Sequence, residues 1–109
     1  MLGRVQRVVV DAENVRRSGW PNMSRSELVE RARAWARGEA EELLIVFDGE
    51  PPEDAPDLVG SGRRSADDVI AELDGPFWLV TSDRALRERV GAKAERVTGG
   101  GSFLETLRS

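Results

Sequence analysis

Val5-Gln6-Arg7-Val8-Val9-Val10-Asp11 is the stretch that decides the fold. Three successive β-branched residues without polar alternation predict a strand over Val5–Val10 covered on both faces, because a sheet with one wet face places a polar residue at every second position. The run ends on an acid. Glu42 to Phe47 is a second apolar run, closed by Asp48-Gly49-Glu50-Pro51-Pro52. Phe77 to Thr81 is a third, followed by Ser82-Asp83, and Ala94 to Val97 predicts a fourth strand.

Helical patterns separate these runs. Turn chemistry begins at Asp11, and Arg16 to Ser24, with Gly19-Trp20-Pro21-Asn22, reads as a loop. Ser24 with Glu27 three residues on has capping-box spacing, and Leu28, Ala32, Trp35 and Ala36 recur at helical intervals. The spacing predicts a helix from about Arg25 to Arg37, stopped by Gly38. Between Glu50 and Gly62 the chain is rich in proline, acid and glycine, with Asp57–Gly60 a short candidate strand. Ser65 starts a helix carrying Val69, Ile70 and Leu73 that ends near Gly75-Pro76, and Asp83–Val90 forms another. Gly99-Gly100-Gly101 breaks the chain before an amphipathic helix with Phe103, Leu104 and Leu107.

Strands alternating with helices imply right-handed crossovers and a mostly parallel sheet of four or five strands between helices, an α/β domain. At 109 residues and 39% apolar composition, one domain over residues 1–109 is expected. No apolar run is long enough to span a bilayer, and the N-terminus lacks a secretory pattern, so a cytoplasmic protein with no membrane partner is expected. The sequence sets no oligomeric state.

Composition narrows the chemistry. The chain has no cysteine and no histidine, which removes thiolate and imidazole metal sites, cysteine nucleophiles and serine–histidine triads. Carboxylates must carry any catalysis. A net charge of −4 argues against broad wrapping of nucleic acid but leaves room for a local groove. Lys93 is the only lysine, and arginine's planar fork suits phosphate.

In a parallel sheet, ligands bind beyond the carboxyl ends of the strands. Asp11, Asp48 and Asp83 follow strand ends, and Asp67 and Asp68 open a helix; all fall on that rim. Carboxylates gathered there repel one another, and a divalent cation offsets the repulsion. Oxygen ligands favour Mg2+ or Mn2+ over zinc, and such a cation can activate water for attack on a phosphoryl centre. Each acid also has an ordinary structural reading. Asp11 to Asn14 can be a turn, Asp48-Gly49 a turn dipeptide, Ser65 to Asp68 a capping box, and Thr81-Ser82-Asp83 an N-cap. Their joint placement is what favours a site.

Four blocks, Val8-Val9-Val10-Asp11-Ala12-Glu13-Asn14-Val15, Val46-Phe47-Asp48-Gly49, Ser65-Ala66-Asp67-Asp68-Val69-Ile70 and Val80-Thr81-Ser82-Asp83-Arg84-Ala85-Leu86, resemble the NYN branch of the PIN-like nucleases, and within it the YacP-like group. The resemblance covers most of the chain and implies a three-layer α/β/α PIN-like fold, an endoribonuclease acting on single-stranded RNA, a Mg2+ or Mn2+ site and a possible association with the ribosome. By the same resemblance Asp11, Asp67, Asp68 and Asp83 are the catalytic and metal-binding acids, with Asn14, Asp48, Ser65, Thr81 and Ser82 in support. Arg16, Arg17, Arg63, Arg64, Arg84 and Arg87 fall at the same rim and are candidate phosphate contacts, against the ordinary reading of solvated surface arginines. The loop between Asp48 and Ser65 is shorter than in the relatives. Glu13, where they carry small or aromatic residues, is either an extra ligand or exposed. Trp20 in its loop is a candidate for stacking a base, and Trp35 and Trp78 fit the core. Two other classes stand beside the nuclease: an inactive RNA-binding module of the same fold, and a receiver-like signalling domain, disfavoured because Asp11 is unpaired and Lys93 precedes the last strand.

Overall fold

The apolar runs become the strands of one sheet in the computed structural model, which describes residues 6–39 and 42–109. Val5, where the sequence places the first strand's start, lies outside them. The strands are β1 (Arg7–Asp11), β2 (Glu42–Phe47), β3 (Leu58–Gly60), β4 (Phe77–Val80) and β5 (Ala94–Thr98). The helices are α1 (Ala12–Arg16), α2 (Arg25–Glu39), α3 (Ala66–Glu72), α4 (Arg84–Val90) and α5 (Gly100–Arg108). The sheet order is β3-β2-β1-β4-β5, and all four pairings are parallel. A receiver-like domain would show the order 2-1-3-4-5, so that reading does not hold.

Alternate residues of the central strands feed two cores. Val8, Val10, Ile45, Phe47, Trp78 and Val80 pack with buried residues of α1, α2 and α5. Val9, Leu44, Val46, Phe77 and Leu79 pack with those of α3 and α4. Helices therefore cover both faces, giving the three layers that a two-sided apolar strand requires. Val8, Val9 and Val10 are fully buried, and each such side chain contributes roughly 1.5–3 kcal/mol of transfer free energy. Trp35 meets Trp78 edge-on with ring centroids 5.6 Å apart and Phe103 at 5.0 Å, so Trp78 lies in the core and half-buried Trp35 packs against it.

Three departures from the sequence reading have physical causes. The segment after Asp11 is not a turn but helix α1, which buries Ala12 and Val15 and carries Glu13 toward Arg16 and Arg17 one turn later. Helix α2 runs through Gly38 to Glu39. The glycine triplet does not end regular structure: Gly99 is the N-cap and Gly100 lies inside α5. A Cβ on Gly100 would stand 2.5 Å from Asn14 Oδ1 and 2.7 Å from Ser18 Oγ. Glycine is thus needed for α5 to close on α1, which outweighs its poor helix propensity.

The connection from β2 to β3 has no helix. Arg33 on α2 holds it, donating to both oxygens of Asp57 at 2.8 Å.

Candidate active site

The chain runs from β1 outward through β2 to β3, then returns to the other side of β1 for β4 and β5, so the strand order reverses between β1 and β4. Acids at the carboxyl ends of these strands meet at that switch point. Asp11, Asp48, Asp67 and Asp83 line one cleft of about 340 Å³, together with Glu13, Asn14, Arg17 and Ser18.

Asp11 is the innermost acid, 5% exposed at the end of β1. Its Oδ2 accepts a 2.9 Å hydrogen bond from the Thr81 hydroxyl. Thr81 Oγ1 accepts in turn from the Asp83 amide at 3.1 Å, so one buried hydroxyl joins the exits of β1 and β4. Burial, then the neighbouring carboxylates of Asp67, Asp48 and Asp83, push Asp11 up to about 6, although the Thr81 hydrogen bond opposes the shift. Asp67 on the first turn of α3 is also raised, first by burial and then by Asp83 and Asp48.

Asp48 and Asp83 are fixed by local backbone. Asp48 Oδ1 accepts from the Ala66 amide at 2.8 Å, bringing the end of β2 to the start of α3. Gly60 permits this approach, because a Cβ there would lie 2.3 Å from the Gly49 carbonyl oxygen. Asp83 Oδ1 caps α4 by accepting from the Leu86 amide at 3.1 Å. The N-cap reading of Asp83 is therefore correct as local structure, and the same residue lines the cleft.

Asp68 has gone elsewhere. It does not line the cleft, and its carboxylate takes a 2.8 Å hydrogen bond from Arg89 of α4. Arg89 and the amide and hydroxyl of Ser65 hold it below the usual carboxylate range. Ser65 caps α3 by accepting from the Asp68 amide, so the capping-box reading of this pair describes the local structure. Adjacent residues on one helical turn point about 100° apart, which separates Asp67 from Asp68.

Asn14 and Ser82 are engaged with backbone amides. Asn14 Oδ1 accepts from the Ser82 amide at 2.9 Å, and Ser82 Oγ from the Gly100 amide at 2.8 Å. The two links place the segment before Asp83 over α1.

Glu13 is not exposed, and although it lines the cleft it is paired with arginines. At 9% exposure it faces three arginines, Arg16 at 3.3 Å, Arg17 at 3.4 Å and Arg25 at 3.1 Å. Arg25, which the sequence did not single out, also donates to the carbonyls of Asp48 at 2.8 Å and Glu50 at 2.9 Å and lies over the Phe47 ring. It ties α2 to the turn that carries Asp48. Ser61 is a second unforeseen brace: its buried hydroxyl accepts from the Gly49 amide and donates to the Arg64 carbonyl. Recognising α1 as a helix exposes the i,i+3 and i,i+4 pairing of Glu13; no local pattern marks Arg25.

The six candidate phosphate contacts separate into two groups. Arg16 bonds the Met23 carbonyl and Glu13 and Arg87 donates twice to the Thr81 carbonyl, so these two brace the fold, and Arg64 makes an exposed ion pair with Glu72. Arg17, Arg63 and Arg84 are exposed, with Arg17 lining the cleft from the α1 side and Arg84 opening α4 on the opposite layer.

Among the described residues, no three acidic side chains are drawn together tightly enough to hold a metal by themselves. The donor set is nonetheless one of oxygens whose ionisation burial and like charge oppose, which a hard cation would reverse. Magnesium keeps several of its waters and needs only one or two carboxylates in direct contact, so the residues present fit it.

Comparison of the sequence with protein-family models found no match, and comparison with curated proteins found none either. Among solved structures the chain is similar to Rae1 (YacP) from Bacillus subtilis, with a TM-score of 0.75 at 14% sequence identity, over 95% of this chain and 76% of that one. Among the described residues no helix is long and apolar enough to cross a membrane. The parallel five-stranded sheet flanked by helices is a three-layer α/β/α PIN-like fold, similar to that of Rae1 (YacP).

Proposed function

We infer that this chain is a metal-dependent endoribonuclease of the NYN branch, cutting single-stranded RNA at the cleft between β1 and β4. The observation that carries the reading is the convergence of Asp11, Asp48, Asp67 and Asp83 on one cleft, where burial and like charge raise Asp11 to about 6. Such an arrangement costs stability, and a catalytic role accounts for its being kept. Asp11, Asp67 and Asp83 would hold Mg2+ or Mn2+, with Asp48 beside them. A cation there supplies Lewis-acid polarisation of a phosphoryl oxygen and a water of lowered pKa.

The protein's own groups set the rest. Thr81 and Arg87 fix the exit of β4, so that Asp83 is presented to Asp11. Arg17 in the cleft wall, with exposed Arg63 before α3 and Arg84 at the start of α4, would supply cations to an otherwise acidic rim, which a polyanion needs in order to enter. RNA presented on a ribosome would meet the same groups, and the reading places the activity in the cytoplasm.

The test is cleavage of end-labelled single-stranded RNA with Mg2+, with Mn2+ and with EDTA, by the wild type and by Asp11→Asn and Asp83→Asn. The expected outcome is internal cleavage that requires the cation and falls on the order of 100-fold or more in either variant. Undiminished cleavage in both variants, or RNA binding without turnover under any cation, would overturn the reading; the second result describes an inactive binding module.

A further inference from the structure

Trp20 is 88% exposed, on a loop that is otherwise pinned down. The Met23 amide donates to the Arg16 carbonyl at 3.1 Å, and Arg16 Nη1 to the Met23 carbonyl at 3.2 Å, closing the loop's base over the buried Met23. Ser18 turns back onto α1 through its amide and hydroxyl. Gly19 sits against Leu104, and Arg108 of α5 donates to the Pro21 carbonyl at 2.6 Å. A large apolar side chain is thus displayed on a braced support at the cost of its own hydration, where a collapse onto the surface would have hidden it.

Three features define what fits it. Trp20 follows Arg17 and Ser18, both in the wall of the acidic cleft, and three residues of chain reach at most about 10 Å. Arg17 has a 65% exposed side chain and a long 3.4 Å contact to Glu13, leaving its guanidinium open to a second anion. Finally, among the described residues the one other exposed large apolar side chain is Val97 on the edge strand β5, at 39%. Trp20 therefore belongs to no apolar patch of the kind a protein interface buries. A bare ring three residues along the chain from an open guanidinium matches one base and its phosphate.

We propose that Trp20 is a stacking platform for an unpaired nucleobase, with Arg17 taking the adjoining phosphate, so that together they lead a single strand into the cleft. The proposal rests on the nuclease reading for the nature of the bound polymer, and it adds to that reading a reason for single-strand selectivity: a base paired in a duplex has no free face to offer. Trp78 is buried and Trp35 is half-buried against it and Phe103, so comparison with Trp20→Ala identifies the part of any emission change that comes from Trp20.

The experiment is a fluorescence titration with a short single-stranded oligoribonucleotide, calcium replacing the catalytic cation, alongside an abasic oligomer of equal length and a duplex. The expected result is saturable quenching by the single strand alone. Trp20→Ala should weaken its binding roughly ten- to a hundred-fold, Trp20→Phe should restore most of the loss, and neither should change the salt dependence. Arg17→Ala should instead reduce the slope of log affinity against log salt by about one. Equal affinity in wild type and Trp20→Ala, equal binding of the abasic oligomer, or no binding by the wild type would overturn the proposal. The two readings fail separately: RNA that binds through Trp20 but is never cut sinks the nuclease and keeps the platform, whereas RNA cut with unchanged KM by Trp20→Ala does the reverse.

Discussion

Asp67 and Asp68 are neighbours on the first turn of α3, yet they belong to opposite kinds of surface. Asp68 has its own arginine and two hydrogen bonds from the cap, and it is held below the ordinary carboxylate range. Asp67 faces the cleft, where burial and other acids raise it. The same division runs through the molecule: Asp57 is paired with Arg33 and lowered, while Asp11 is buried among acids and raised to about 6. Acids that serve the fold have been given cations. Asp11 and Asp67 in the cleft have been given other acids, although Arg16 and Arg25 stand nearby and are spent on Glu13, the paired acid of the cleft wall, and on backbone carbonyls. What separates the two classes is therefore the allocation of partners, not the shortage of arginine.

The largest expected effect comes from exchanging charge for amide at this adjacent pair. Asp67→Asn should lower metal-dependent cleavage on the order of 100-fold, while Asp68→Asn leaves cleavage and Mn2+ affinity at the wild-type level. Rates measured at saturating RNA across a Mn2+ series would decide it. Equal losses in the two variants would erase the division between the surfaces.

The next effect is on stability, and its sign distinguishes the two classes. The unfolded chain loses the Asp11 proton near 3.8, whereas the folded protein keeps it up to about 6, so the native state binds the extra proton between these values. Stability from this group is present below 3.8 and lost as pH rises through 6, a loss of about 3 kcal/mol by linkage. In EDTA, Asp11→Asn should accordingly be more stable than wild type above about pH 6, by up to roughly that amount, with the gap closing toward about pH 4. Asp57, whose value is lowered, contributes with the opposite sign: its stability is present above its ordinary value and fades on acidification. Urea unfolding across this range, repeated with Mn2+, provides the check. A wild type no less stable than Asp11→Asn in EDTA at neutral pH would contradict the cost of burying this charge among other acids.

The sheet was legible in the sequence because its signal is local: three β-branched residues in β1, and apolar runs ending on Asp48 and Asp83, need no knowledge of their neighbours. The rim position of the acids followed from strand direction alone. What was hidden depends on contacts distant in the chain. Helix α1 is five residues long and opens with a sequence suited to a turn; Val15 packing and the closure of Gly100 onto Asn14 give it a reason to be helical. Glu13 becomes a buried residue through Arg25, twelve positions away. Asp68 turns from the cleft to Arg89 of α4, and Arg87 turns onto the Thr81 carbonyl. Charge pattern reports how many cations exist, whereas only the tertiary structure reports which remain uncommitted.

The smallest effect concerns the brace between the two surfaces. Arg25 satisfies Glu13, an acid of the paired class, and with its other two nitrogens holds the carbonyls of Asp48 and Glu50 at the cleft edge. Glutamine is too short to span these three partners, and lysine would replace a planar fork by a point charge, so neither substitute should keep the turn in place. Arg25→Gln and Arg25→Lys are both expected to weaken Mn2+ binding about tenfold, the scale of losing a group that orients a ligand. Calorimetric titration of Mn2+ into each variant measures this, with thermal unfolding in EDTA as the companion. If both variants melt earlier but bind Mn2+ as the wild type does, Arg25 supports only the fold, and the position of Asp48 must be set by the Ala66 amide alone.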